Sequence, residues 1–212
     1  MTDGLVTDVT GYWDERHRNL GFLRSGGDLG LSETANELFY ISRLGQILSL
    51  LGMGGVVAGH KVLDAGCGKG WFTMALRALG FDCLGIDPSS SAIAQAQRAG
   101  RAAVYRASLR QLPSLPVFDA AICVDVLFHL TDDHDWELSL RAVCRAIRPG
   151  GLLIFSDDLR DQSFVLGDYV VHRARDHYDG TLGSAGFAIF EELPYRTPGN
   201  PNKFYAARRT AI

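Results

Sequence analysis

The sequence has little of what marks several large protein classes. It has no CxxC pair: the four cysteines, Cys67, Cys83, Cys123 and Cys144, stand apart, three of them in or beside apolar runs. They read as buried, reduced thiols, because cysteine is among the side chains most often buried. No apolar run approaches the roughly 20 residues that a membrane-spanning helix needs. Nor does a basic segment followed by a long apolar stretch open the chain, so no leader is expected and the expected location is the cytoplasm. No charge of one sign dominates. Lys plus Arg number 21 against 24 Asp plus Glu, a net charge of -3, and the local basic cluster is only Arg208 and Arg209. A nucleic-acid partner is therefore not expected, since neutralising phosphates calls for a basic stripe. Internal repeats and low-complexity tracts are missing as well.

At 212 residues the chain is expected to form one domain with a short accessory segment, large enough to bury roughly 70% of its unfolded surface without staples. From Lys61 onward, short apolar runs alternate with helical stretches, the pattern of a parallel sheet covered by helices. Strands are expected at Lys61–Asp64, Asp82–Ile86, Ala102–Arg106, Phe118–Asp125 and Leu152–Ser156. Two more, at Ala188–Leu193 and Lys203–Arg208, flank the turn-rich PYRTPGNPN and so form an antiparallel hairpin. Ser89 caps a helix that Gly100 ends, and Asp132 and Asp133 cap one that stops at Pro149-Gly150-Gly151. Another helix is expected from about Ala174 to Ala185.

Residues 1–60 differ and read as a helical extension that packs on the sheet and covers a site. In it Ser32 caps a helix with Leu38, Ile41, Leu44, Leu48 and Leu51 on one face. Residues 61–212 form the domain proper.

The chemistry concentrates in VLDAGCGKGWF (62–72). An apolar strand ends at Asp64 and enters a loop with Gly66, Gly68 and Gly70 before a helix starts. Small residues are needed there because a ligand must lie against the backbone at the carboxyl end of the strand. Asp87, twenty-one residues after Gly66, ends the second strand, where a carboxylate can accept hydrogen bonds from both hydroxyls of a ribose. The loop is GxGxG rather than the dinucleotide GxGxxG, which disfavours a nicotinamide or flavin enzyme.

Residues 61–156, with the hairpin to 208, resemble the class I S-adenosylmethionine-dependent methyltransferases. Four segments carry the resemblance in order: VLDAGCGKG, the acid Asp87 in GIDPS, FDAAICVDVLFHL (118–130) and RAIRPGGLLIFSD (145–157). It implies an α/β, Rossmann-like, doubly wound seven-stranded sheet, mostly parallel with a C-terminal antiparallel hairpin, and S-adenosyl-L-methionine as cofactor. It further implies that Asp64, Gly66, Cys67, Gly68 and Gly70 hold the methionine part and that Asp87 binds the ribose, with Pro88 and Ser89 beside the adenine. Ser108 and Leu109 fall where the family usually places an acid or amide facing the adenine amino group, and Ser108 departs from that pattern. Asp125 and Val126 end the fourth strand near the sulfonium.

Methyl transfer from a sulfonium is an in-line displacement, so the protein must mainly align the acceptor and exclude water. A general base near neutral pKa helps an oxygen, nitrogen or acidic carbon acceptor. His129, after the fourth strand, is the first candidate for that base, with His177 and His17 behind it. A catechol-type metal site would use carboxylates such as Asp125 and Asp157, but the Asp-Asn pair of that type is replaced by Asp157-Asp158, and no metal is expected. The NPPY-like tetrapeptide of base and amide methylases is replaced by DVLF (125–128). The segment YWDERH (12–17) resembles the start of some bacterial small-molecule methyltransferases, which implies that Tyr12, Trp13 and Arg16 close over the cofactor. The reading is therefore a methyltransferase for a small-molecule acceptor, with a homodimer as the default for this size. Two alternatives stay open: an enzyme that binds the same cofactor but catalyses a cyclisation or related reaction, and a non-catalytic partner protein. The second is disfavoured because the glycines and the ribose acid are retained.

Overall fold

A computed structural model describes residues 4–112, 117–195 and 199–211. Two helices open the chain, α1 (Val9–Asn19) and α2 (Glu33–Met53). They are followed by β1 (Lys61–Ala65), α3 (Trp71–Ala78), β2 (Asp82–Asp87), α4 (Ser90–Arg98), β3 (Val104–Arg106) and β4 (Phe118–Cys123). Then come α5 (Asp133–Ala146), β5 (Ile147–Asp157), β6 (Phe164–Leu166), β7 (Val170–His172), α6 (Arg175–Ser184), β8 (Phe187–Pro194) and β9 (Lys203–Arg209). Among the described residues the main sheet has seven strands in the order β3-β2-β1-β4-β5-β9-β8. β1 to β5 pair in parallel, and β9 runs antiparallel to both β5 and β8. The doubly wound sheet with its antiparallel C-terminal pair matches the sequence-based expectation. Arg196, Thr197 and Pro198, in the segment expected to turn between the last two strands, lie outside the described residues.

Strand periodicity builds two cores. Leu63, Leu153 and Phe155 point to one face, where Trp136, Leu140 and Tyr178 cover them. Val62, Leu152 and Ile154 point to the other, under Ile47, Leu50, Leu51 and Leu76. Each such side chain contributes about 1.5–3 kcal/mol by leaving water. β1 pairs with β2 on one side and β4 on the other, so the winding direction reverses at the carboxyl ends of β1 and β4. A crevice forms there by topology alone.

Capping follows the sequence: Ser32, Ser89 and Asp132 accept from the amides of Ala35, Ala92 and Asp135. Four features differ from expectation. The buried stripe of α2 is Phe39, Tyr40, Arg43, Ile47, Leu50 and Leu51, whereas Leu38 and Ile41 are 64% and 52% exposed. The helix is rotated because aromatics, not the leucines alone, fill the sheet face. β5 begins at Ile147, running through the Pro149-Gly150-Gly151 expected as a turn; its pairing with β4 is irregular between Phe118 and Ala120. β4 ends at Cys123, before Asp125, which takes a left-handed backbone with φ 55, a conformation aspartate tolerates better than most residues. Last, the small β6–β7 hairpin was not anticipated from the sequence.

Candidate functional site

The glycine loop leaves β1 with Gly66, Gly68 and Gly70 all in the left-handed region, at φ 80, 52 and 79. The amides of Gly66 and Cys67 both donate to the Ile86 carbonyl, at 2.8 and 2.9 Å, which seats the loop against β2. A Cβ on Gly66 would lie 2.4 Å from Val126 Cγ2, so only glycine lets the loop approach the 125–126 turn. Asp87 braces the same loop: its Oδ2 accepts from the Gly68 amide at 2.9 Å and its Oδ1 from the Ser89 amide at 2.8 Å. Burial raises the Asp87 carboxyl to about 6 against those two hydrogen bonds. Asp64 accepts from Thr73 Oγ1 at 2.6 Å, and burial pushes it up to about 7.

A cavity of about 270 Å³ opens at this point. Of the residues singled out in the sequence, Asp64, Gly66, Cys67, Gly68, Asp87, Pro88, Ser108, Leu109, Asp125, Val126 and His129 line it, together with Trp13 and His17 from α1. Gly70 starts α3 and Ser89 caps α4. The Ser108 amide, a candidate donor to an adenine, instead donates to Gln111 Oε1. His177 is not brought to this cavity; it sits on α6 in a separate groove with Asp133, Trp136 and Arg173.

The N-terminal segment forms one wall. Asp14 of α1 accepts from the Ser91 amide and from the hydroxyls of Ser89, Ser90 and Ser91, all within 3.0 Å. That backbone hydrogen bond, aided by the hydroxyls, holds its carboxyl well below the usual range despite desolvation. Lys69, inside the glycine loop, donates to the Leu20 carbonyl at 2.9 Å. Arg16 lies 4.7 Å over the Trp13 ring and donates to the carbonyls of Ser25 and Gly27. Tyr12 stacks on Tyr169. Arg16 and Tyr12 thus pack against Trp13, whose ring lies 6.0 Å from that of His17. The His17 ring lies against Gly68, its Nδ1 is buried without a hydrogen-bond partner among the described residues, and burial beside Lys69 and Arg16 lowers it to about 4.

Sequence reasoning missed a second group. Arg43, 1% exposed, pairs through Nη1 with Asp125 Oδ2, and its Nε and Nη2 find no partner among the described residues. Its guanidinium lies 3.9 Å over Phe39 and 4.4 Å over Tyr40. Tyr195 donates to Asp125 Oδ1 at 2.7 Å, and Ser156 Oγ accepts from the Asp125 amide at 2.7 Å. The available signal was an arginine at a helical position among the apolar residues of α2. Asp157, considered above for a metal, is spent: His172 Nδ1 and the Tyr178 hydroxyl each lie 2.5 Å from its oxygens.

Residues 63–155 match the family model described as a methyltransferase domain. Over those residues the chain carries a methyltransferase domain. Its methyltransferase segment is 34% identical over 108 residues to the ubiquinone biosynthesis O-methyltransferase of Methylococcus capsulatus, covering 47% of this chain and 44% of that one. It is 37% identical over 100 residues to the malonyl-[acyl-carrier protein] O-methyltransferase of Erwinia billingiae, covering 46% and 39%. The chain thus spans less than half the length of these curated relatives. The methyltransferase fold extends further than the sequence match. The magnesium protoporphyrin IX methyltransferase of Synechocystis, solved with bound SAM, superposes with a TM-score of 0.75 at 20% identity over 97% of this chain and 99% of that one. Among the described residues no helix is long and apolar enough to cross a membrane.

Proposed function

We propose that this chain binds S-adenosylmethionine in the crevice at β1 and β4 and methylates a hydroxyl group of a small-molecule acceptor. The observation that carries the reading is the chemistry of the cavity wall: a glycine cradle, a buried acid and a buried guanidinium with unspent donors. Each suits one part of the cofactor. Gly66 and Gly68 let the loop turn left-handed so that its backbone reaches the cavity wall, where a ligand can meet it. The Asp87 oxygens each keep a lone pair after accepting one amide, and these take the ribose hydroxyls. The free Nε and Nη2 of Arg43 take a carboxylate, the group carried by the methionine end. When bound, the sulfonium supplies an already activated methyl group.

The chain's own residues then orient the acceptor and exclude water. His129 lines the cavity, and burial lowers it to about 4 even though the Tyr169 carbonyl hydrogen bond opposes the shift. It is therefore neutral at pH 7 and accepts a hydrogen bond. So weak a base suits an oxygen acceptor, because an alcohol oxygen becomes strongly acidic as it is methylated and gives up its proton readily. The two O-methyltransferase relatives support the same choice. Trp13 and His17, from the extension that ends at residue 60, support reading it as a lid over this site. The net charge of -3 without a basic stripe supports an acceptor other than nucleic acid. An enzyme of the cytoplasm, in homodimeric form, completes the proposal.

Calorimetric titration with S-adenosylmethionine and S-adenosylhomocysteine, then a screen of hydroxylated small molecules for S-adenosylhomocysteine release, tests this. Micromolar binding with turnover only on hydroxyl acceptors is expected. Turnover on amines alone would overturn the hydroxyl assignment, and absence of binding would overturn the cofactor site.

A further inference from the structure

We propose that the β6–β7 hairpin positions His129: the Tyr169 carbonyl at its turn fixes which imidazole nitrogen carries the proton, and the buried Asp157–His172 pair holds the hairpin in place. The inference rests on the His129 reading above, but it concerns a tautomer that can be measured without any acceptor.

His129 Nδ1 lies 3.1 Å from the Tyr169 carbonyl oxygen. A carbonyl only accepts, so Nδ1 carries the hydrogen, and the lone pair of the neutral ring sits on Nε2. This is the arrangement that lets Nε2 accept from an acceptor hydroxyl. The Tyr169 ring stacks on His129, with centroids 5.4 Å apart and planes 12° from parallel, and also stacks on Tyr12 at 5.0 Å. The ionisable groups around His129 are Asp125 just past β4, Arg16 of α1 and His172 of β7.

A two-stranded ribbon with three-residue strands has no stability of its own, so external ties set where the Tyr169 carbonyl stands. The Val6 amide supplies one, donating to the Asp168 carbonyl at 2.7 Å, and His172 supplies another. Its Nδ1 is 2.5 Å from Asp157 Oδ1, and the second Asp157 oxygen accepts from Tyr178 at 2.5 Å. Asp157 is wholly buried, at 0% exposure. The His172 ring also packs against Phe164 of β6, at 4.7 Å between centroids, and against Phe128, at 5.1 Å. Phe128 precedes His129 in the chain, so His172 touches the hairpin, the end of β5 and the 127–129 turn at once. Asp157 and His172 are therefore positioning residues, acting on His129 through the backbone of Tyr169.

Long-range proton–nitrogen NMR of the labelled full chain tests this, with the His129 signals assigned by His129→Asn. The wild type should show the Nδ1–H tautomer and titrate well below 6.5. His172→Phe keeps the ring stacking but loses the tie to Asp157; Tyr169→Gly removes the stack and leaves the buried pair alone. Both should give a tautomer mixture, with S-adenosylhomocysteine affinity within about threefold of wild type. His172→Asn, whose amide can still donate to Asp157, should restore the wild-type spectrum. An Nε2–H tautomer in the wild type, or folded variants with unchanged His129 signals, would overturn the proposal. Because the spectra are read with and without cofactor, a failure of the methyltransferase reading shows separately, as absent binding or turnover.

Discussion

Arg43 in the middle of α2 and Asp125 just past β4 form an ion pair that joins the N-terminal extension to the carboxyl edge of the sheet. The pair uses one of the guanidinium's nitrogens and leaves Nε and Nη2 buried without partners among the described residues. Unpaired buried donors cost about 1–3 kcal/mol each, and a carboxylate ligand that meets them recovers that cost on binding. Arg43→Met keeps contact with the Phe39 and Tyr40 rings while removing the donors. It should weaken S-adenosylhomocysteine binding at least tenfold and leave 5′-methylthioadenosine, which lacks the amino-acid group, within about threefold. Calorimetry on both ligands checks this; an equal loss for the two would reassign Arg43 to holding α2 in place. Breaking a buried pair costs about 3–5 kcal/mol, but Asp125 keeps Tyr195 and Ser156 and is partly exposed, so about 2 kcal/mol is expected.

Asp64 makes a pH prediction with a definite sign. Its folded value of about 7 lies above the ordinary 3.8 because of burial. Between those two values the folded chain binds the proton that the unfolded chain has released, so this group's effect on stability worsens as pH rises. Asp64→Asn mimics the protonated carboxyl and still accepts from Thr73. The variant's melting temperature should match wild type near pH 4, gain steadily to about pH 7, and stay constant above. A gain on the order of a few kcal/mol, or several degrees, is expected. His17 and His129, lowered to about 4 from 6.5, contribute in the opposite sense, losing stability as pH falls through that range. They are common to both proteins and cancel in the difference. A pH-independent offset in thermal melts would show that Asp64 is ionised throughout.

The sheet and its glycine loop were legible in the sequence because both are written in local pattern: apolar runs of strand length, capping serines, and glycines where the backbone turns left-handed. Asp87 was legible because its position at the end of β2 follows from the same pattern. Arg43, Tyr195 and Ser156 were not, since they meet Asp125 only through tertiary packing across long sequence separations. The rotation of α2 was missed for a related reason. Leu38, Ile41, Leu44, Leu48 and Leu51 have helical spacing, but so do Phe39, Tyr40, Arg43, Ile47 and Leu50, and the larger aromatics took the buried side. His177 had little beyond its residue type in its favour, and the fold places it in the first turn of α6, on a separate groove.

Asp14 makes the extension's docking testable. Its carboxylate sits at the N-terminus of α4 and accepts from one amide and three hydroxyls there, a favourable end of the helix dipole for a negative charge. Asp14→Ala should cost about 1 kcal/mol, as loss of an N-cap does. Ser89 still caps α4 in that variant, so the cost should fall on α1. Hydrogen exchange should then quicken across Val9–Asn19 while α4 keeps its protection, and S-adenosylhomocysteine should dissociate faster if α1 covers it. Unchanged exchange in α1 would mean that Lys69 and Arg16 hold the segment without Asp14.

Gly66 separates backbone strain from crowding. Alanine there would have to keep φ near 80 and place its Cβ 2.4 Å from Val126 Cγ2. The first effect costs about 1–2 kcal/mol for an L residue; the second, like other overpacking, about 1–3 kcal/mol. Gly66→Ala should therefore lose about 2–5 kcal/mol in a denaturant titration. Adding Val126→Ala removes the crowding but not the strain, so the double variant should recover about half of the loss. The added methyl points at Val126 rather than into the ligand's path, so cofactor affinity should recover together with stability in the double variant. If stability recovers while S-adenosylhomocysteine binding stays lost, the ligand lies against the Gly66 Cα itself, and the close approach of ligand to backbone, not the turn, is what demands glycine at this position.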